Sequence, residues 1–256
     1  MKLNDYTALL ESLAPAALAQ SYDNVGLMIG TEREIRRVLV ALDCTLAVAE
    51  EAVQKDVDLV LTHHPLFFHP ARRILPDDPD TAPAYKLIQH GIGLYAAHTN
   101  LDAAEGGVND ALAEALGLTE TEPLFSDGIG RVGALPEEMP LDAFARHCAK
   151  ALHTAVRVGG DPKKTIRRVG VVGGAGGDMT DEALRLGCDA FVTGEVKHHE
   201  WLHALGNGLA VVDAGHYATE AVVLKKWISR LQNAENGVQY ELTCTETAPW
   251  RTQEED

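Results

Sequence analysis

Short apolar runs recur along this chain, and most are followed by a stretch of helical periodicity. RRVLVALD (36–43) predicts a strand, and TLAVAEEAVQKD (45–56) a helix with Thr45 as its N-cap. VDLVLT returns to strand character and runs into LTHHPLFF (61–68), where Pro65, lacking an N–H, rules out continuation of an interior strand. A strand–helix–strand unit of this kind is normally parallel and right-handed. TAPAYKLIQHG (81–91) predicts a helix ended by Gly91, and IGLYAAHTNLD (92–102) a third strand entering a polar turn. GGVNDALAEALGL (106–118) is again helical. Upstream, MKLNDYTALLESLAP reads as an amphipathic helix, and SYDNVGLMIG (21–30) as a turn around a short apolar segment. Turn chemistry explains Asp23 and Asn24 as well as a site role does.

Past residue 120 the pattern continues with SDGIGRVGAL (126–135) as a strand, LDAFARHCAKAL (141–152) as a helix and AVRVGG (155–160) as a short strand. His147 and His153 are expected on that helix. RRVGVVGG (167–174), DMTDEALRLG (178–187) and AFVTGEVKHHE (190–200) predict a second strand–helix–strand unit. LAVVDAGHYATE (209–220) is a strand leading into a helix through TEAVVLKKWISRL, and VQYELTCTET a last strand at a sheet edge. The terminal TQEED is expected to fray. A shift of 131 positions lays RRV at 36 on RRV at 167, Asp58 on Asp189 and Thr62 on Thr193. Each half then reaches a strand ending in a histidine with an acid four residues on: His98 with Asp102, and His216 with Glu220. A duplicated α/β unit is expected to bring these two ends to face one cleft.

Composition narrows the classes. The chain has 256 residues, 46% of them hydrophobic, and no run approaches the length of a membrane span. Asp5 and Glu11 interrupt any signal-peptide core. Cys44, Cys148, Cys188 and Cys244 form no CxxC and read as buried, reduced thiols of a cytoplasmic protein. A formal charge of −16 with no basic stripe argues against direct nucleic-acid binding.

The chemistry collects at predicted strand ends: His63, His64, His98, Asp102, His216 and Glu220. Neutral imidazoles with a few carboxylates suit Zn²⁺, Mn²⁺, Fe²⁺ or Ni²⁺ rather than the all-oxygen shells of Ca²⁺ or Mg²⁺. So many ligands exceed the needs of one ion and suit two, with Glu220 as the bridge and a bridging water as nucleophile. His216 and Glu220, four apart, can share one helix face. GGAGGD (173–178) lacks the GK[ST] of a P-loop, so it reads as a tight turn. In GEVKHHE (194–200), Glu195 and His198 are candidate acid–base groups and Lys197 a candidate phosphate contact, against the plain alternative of a solvated turn.

DNVGLMIG, LTHHPLFF, AAHTNLDAAEGGVNDALAE, GRVG, TGEVKHHE and DAGHYATE, in this order, resemble the Nif-three-like family (Ngg-one-interacting factor three), the YbgI-type proteins often labelled GTP cyclohydrolase type two homologues. The resemblance implies two divalent ions per subunit on His63, His64, Asp102, His216 and Glu220, with Glu220 touching both and His98 a ligand or a neighbour of one. It implies two intertwined α/β lobes with mixed sheets flanked by helices, 1–125 plus 205–256 carrying the metal site and 126–204 forming the second lobe. It implies a homohexamer. The implied activity is metal-dependent hydrolysis of a small nucleotide-like substrate, as in GTP cyclohydrolases, where activated water opens the purine ring at its C8–N bonds. The alternative is a non-catalytic, metal-bound scaffold or interaction protein.

Overall fold

In the computed structural model, residues 1–234, 237–245 and 248–250 are described. The chain forms two units: Met1–Glu105 with Leu224–Thr247, and Gly106–Val223 with Ala248–Asp256.

The first unit opens with α1 (Leu3–Leu13) and β1 (Gly26–Ile29). It continues through β2 (Arg37–Ala41), α2 (Leu46–Gln54), β3 (Leu59–Thr62), α3 (Ala82–Gln89), β4 (Gly93–Ala96) and the short α4 (Thr99–Ala103). Its sheet runs β1-β4-β3-β2-β11, where β11 (Gln239–Leu242) is the chain's last strand and sits at the edge, as the sequence predicts. Only β1 is antiparallel; β2, β3, β4 and β11 run parallel. Every residue of β3 and β4 is buried, which is why their sequences are unbroken apolar runs rather than alternating ones. Leu39, Val60, Leu87 and Leu94 are among the side chains that join the strands to α2 and α3, each contributing roughly 1.5–3 kcal/mol by leaving water. The Thr45 side chain accepts from the N–H of Val48 and caps α2.

The second unit holds α5 (Val108–Ala115), β5 (Thr119–Pro123), β6 (Arg131–Pro140), α6 (Leu141–Ala151), β7 (Arg157–Gly159) and β8 (Thr165–Val171). Then come α7 (Thr180–Arg185), β9 (Ala190–Thr193), α8 (His198–Gly206), β10 (Ala210–Asp213) and the start of α9 (His216–Asn233). The sheet order is β5-β6-β8-β9-β10-β7, with β8, β9 and β10 parallel. Two mixed sheets flanked by helices are therefore the architecture, as expected.

The duplication reaches further than the matched residues. Asp58 Oδ2 accepts from the N–H groups of Arg36 and Arg37 (2.9 and 3.0 Å), and Asp189 Oδ2 from those of Arg167 and Arg168 (3.0 and 2.8 Å). β1 pairs antiparallel with β4 as β7 does with β10, and Gly26 and Arg157, which begin them, are again 131 positions apart. After β3 the offset changes. Ala97 donates to Thr62 O and Ala214 to Thr193 O, an offset of 117, so the first copy's connection after β3 is 14 residues longer. In this register His98 corresponds to Gly215 and Asp102 to Thr219; the two His-x3-acid ends lie one residue out of step.

Other expectations need correction. Residues 106–125 and 205–223 belong with the second unit, because β5 pairs with β6 and β10 with β9. The TNLD segment is helical, with His98 at its N-cap, rather than a turn. His147 lies on α6, but His153 falls beyond its end at φ 53°. α8 starts within the presumed polar turn: the Lys197 N–H donates to Glu200 Oε2 (2.7 Å) in a capping box. Cys44, Cys148 and Cys188 are buried, whereas Cys244 is exposed. The TQEED end lies outside the described residues. Among the described residues no helix is long and apolar enough to cross a membrane.

Candidate metal centre

β3 ends at Thr62, but the next two residues keep their backbone pairing, His63 N–H to Ala41 O (3.3 Å) and His64 N–H to Leu42 O (2.9 Å). The Thr62 hydroxyl donates to His64 O (2.8 Å) and fixes the turn into Pro65. His63 is buried and its Nδ1 lies 2.9 Å from Ala97 O. A carbonyl only accepts, so Nδ1 carries the proton and the lone pair resides on Nε2. His64 Nδ1 lies 2.8 Å from Asp43 Oδ1, and His98 Nδ1 2.9 Å from both oxygens of Asp23. All three rings are thus held the same way. Their centroids are 4.9 to 5.5 Å apart, and one ligand atom from each lies within 4.8 Å of the others. Asp102 Oδ1 is 3.6 Å from His63 Nε2. Carbonyl and carboxylate acceptors behind imidazoles are the usual outer support of metal-binding histidines.

Asp23 is itself firmly held. Burial raises its pKa, but hydrogen bonds from His98 and from the Thr99 side chain and N–H outweigh this and hold the carboxyl well below the usual carboxylate range.

In the second unit His216 begins α9 and stands one turn before Glu220, their Nε2 and Oε2 3.1 Å apart. Its Nδ1 is 3.1 Å from Glu195 Oε1. Glu220 is buried, and the glycine loop makes room for it. A Cβ on Gly174, at φ +67°, would stand 2.2 Å from Glu220 Oε1, and one on Gly194 would stand 2.6 Å from His216 Cα. The GGAGGD loop is the tight turn expected. The N–H groups of Gly173, Gly174 and Gly176 donate to Asn109 Oδ1, Thr219 Oγ1 and Thr193 Oγ1, each at 3.0 Å, which commits them to side chains rather than to a phosphate.

The structure therefore gathers His63, His64, His98 and Asp102 in one unit, and His216, Glu220 and Glu195 in the other. His198 is exposed on the first turn of α8, and Lys197 Nζ is paired with Glu200 at 3.2 Å. His147 is engaged elsewhere, its Nε2 2.9 Å from Leu116 O. Sequence reasoning missed Asp43. Its signal was available: Asp43 follows β2, beside the strand whose end carries His64.

A duplicated α/β protein with anchored imidazoles and carboxylates at its strand ends is the class this fold and these side chains define. The chain matches the family described as Duf34/NIF3 (NGG1p interacting factor 3) over residues 1–249, and it belongs to that family. A Clostridium perfringens protein named GTP cyclohydrolase 1 type 2 homolog is 38% identical over 234 residues, 88% of this chain and 89% of its own. A Methanocaldococcus jannaschii protein of the same name is 35% identical over 237 residues, 89% of this chain and 93% of its own. Among solved structures, a Staphylococcus aureus hypothetical protein matches with a TM-score of 0.93 at 31% identity, covering 99% of each chain. A Bacillus cereus protein related to NIF3 matches at 0.90 and 27% identity over 98% of each chain.

Proposed function

We propose that this chain is a metal-dependent hydrolase that binds two divalent cations per subunit through His63, His64, His98, Asp102, His216 and Glu220. The observation that supports this most is the common anchoring of three imidazoles: Ala97 O, Asp43 and Asp23 each take the Nδ1 proton, which leaves the lone pairs on Nε2. The donor set suits Zn²⁺, Mn²⁺, Fe²⁺ or Ni²⁺. Cations bound there would lower the pKa of a coordinated water toward neutrality and so supply a nucleophile. We assign Glu195, which lies beside His216 with its side chain 58% exposed, and the exposed His198 as the acid–base groups. The substrate class is a small, nitrogenous, phosphorylated compound, with a nucleotide as first choice because curated relatives are named as GTP cyclohydrolase homologues. We place the protein in the cytoplasm as a homohexamer, away from nucleic acid and membrane surfaces, which suits its charge of −16.

The test is a hydrolysis screen across a nucleotide panel, using protein with a measured metal load. Turnover that disappears in Glu220→Ala supports the reading. No turnover from fully loaded protein overturns it in favour of a metal-bound scaffold.

A further inference from the structure

The connection after β3 is 14 residues longer than its counterpart, and where the second unit has a polar-walled cavity of about 420 Å³ lined by Arg157, Glu195, Lys197 and Glu200, the first unit has one with aromatic walls. The connection from His63 to α3 carries no helix or strand, and loops this long inside a compact unit usually serve a function. It is pinned at both ends: Asn24 Nδ2 donates to Phe67 O (2.5 Å), and the Thr81 hydroxyl accepts from Leu75 N–H (3.1 Å). Between the loop and β1 lies a cavity of about 450 Å³, within the usual range of small-molecule sites. Its walls alternate. Met28 and Phe67 pack against the core of the first unit, while Leu27 (44% exposed) and Phe68 (45% exposed) stand into the opening. Asn24 and His69 add polar groups at the rim. The Phe68 ring also meets His98 in a T-shaped contact, centroids 5.4 Å apart, so the cavity borders the imidazole cluster directly. At the offset of 131 that aligns the two copies up to this point, Phe67 and Phe68 fall on His198 and His199, so the second copy carries imidazoles where the first carries phenyl rings.

We propose that this cavity is a subsite for a flat heteroaromatic ring, stacked on Phe68, of a ligand whose reacting end lies toward His63, His64 and His98. The class follows from the lining. An aromatic face exposed beside apolar walls favours a planar π-system, and hydrogen-bonding groups at the rim match the polar edge of a heterocycle. A bare phosphate would find no lysine or arginine among the lining residues and would meet the Asp23 carboxylate. The proposal deepens the hydrolase reading and rests on it for the position of the reacting end; ring binding itself is measured without turnover.

The test uses the full chain, both chelator-stripped and zinc-loaded, with adenosine, guanosine, cytidine and uridine as probes and ribose 5-phosphate as the ringless control. Saturation-transfer NMR reports contact at the base protons, and equilibrium dialysis gives affinity. We expect at least one nucleoside to bind at its base and the sugar phosphate to show no competition. Phe68→Ala is expected to weaken that binding about tenfold or more. Phe68→Trp should retain it, whereas Phe68→Leu, which keeps the apolar character but removes the π-face, should not. Metal content should be unchanged in all three variants. No contact at any base, or full affinity in Phe68→Leu, overturns the subsite. Ring binding that persists in protein unable to load metal leaves the subsite standing and removes the hydrolase reading.

Discussion

Gly174→Ala tests how tightly the glycine loop is fitted to Glu220. The residue sits at φ +67°, where any Cβ costs roughly 1 kcal/mol. The new methyl would also stand 2.2 Å from Glu220 Oε1 and 3.2 Å from His216 Nε2. Glu220 is buried, so its carboxylate has no solvent to swing into, and overpacking of this kind costs a further 1–3 kcal/mol or so. Gly187→Ala provides the control: it has φ +69° and nothing within 4 Å of the added Cβ. Urea unfolding followed by circular dichroism should therefore show a loss of about 1 kcal/mol for Gly187→Ala and about 2–4 kcal/mol for Gly174→Ala. Zinc affinity, measured by competition with a chromophoric chelator, should fall only in Gly174→Ala. If the two variants lose the same stability and keep the same zinc affinity, Glu220 is not held against the loop and the reasoning fails.

Asp58→Ala and Asp189→Ala each strip an acceptor from two backbone N–H groups, so each should cost about 1–3 kcal/mol in urea unfolding, and similarly in both copies; Asp56→Ala, 80% exposed in its side chain, should cost far less. Asp43→Ala leaves His64 without its anchoring carboxylate and should weaken zinc binding about 10- to 100-fold by titration with secondary structure intact; unchanged affinity would remove Asp43 from the site. Burial raises the pKa of Glu51, but Lys55, Thr243 and Cys244 outweigh it and hold the carboxyl well below the usual range. A lowered folded-state pKa gives stability that is present above the unfolded value of about 4.3 and lost as pH falls below it. Glu51→Gln should therefore flatten the decline of the unfolding midpoint below about pH 4; an unaltered slope would exclude Glu51 as a source of acid sensitivity.

The parallel strands were legible because they are buried on both faces: LVLT, GLYA, AFVT and AVVD have no polar alternation to blur the signal. TETEP was not, since every residue of β5 is exposed and an edge strand needs no apolar face. α8 hid behind HHE, where the capping carboxylate Glu200 looked like one more polar residue of a turn. The lobe boundaries could not be read locally, because β10 is assigned by its pairing to β9 and not by its own composition. For the site, adjacent histidines before a proline flagged themselves, while Asp43 needed knowledge of which strand lies beside β3. The repeat was visible at an offset of 131, but the 14-residue elaboration shifted the later register and made His216 appear to match His98.

The proposed hydrolase needs His63, His64, His98, Asp102, His216 and Glu220 to hold two cations. Calorimetric titration of chelator-stripped protein with zinc tests it most directly, using wild type, His64→Ala, Asp102→Ala and His147→Ala. Two equivalents in wild type and His147→Ala, with fewer in the other two, is the expected result. Equal stoichiometry in all four proteins would contradict the ligand assignment and the hydrolase reading built on it.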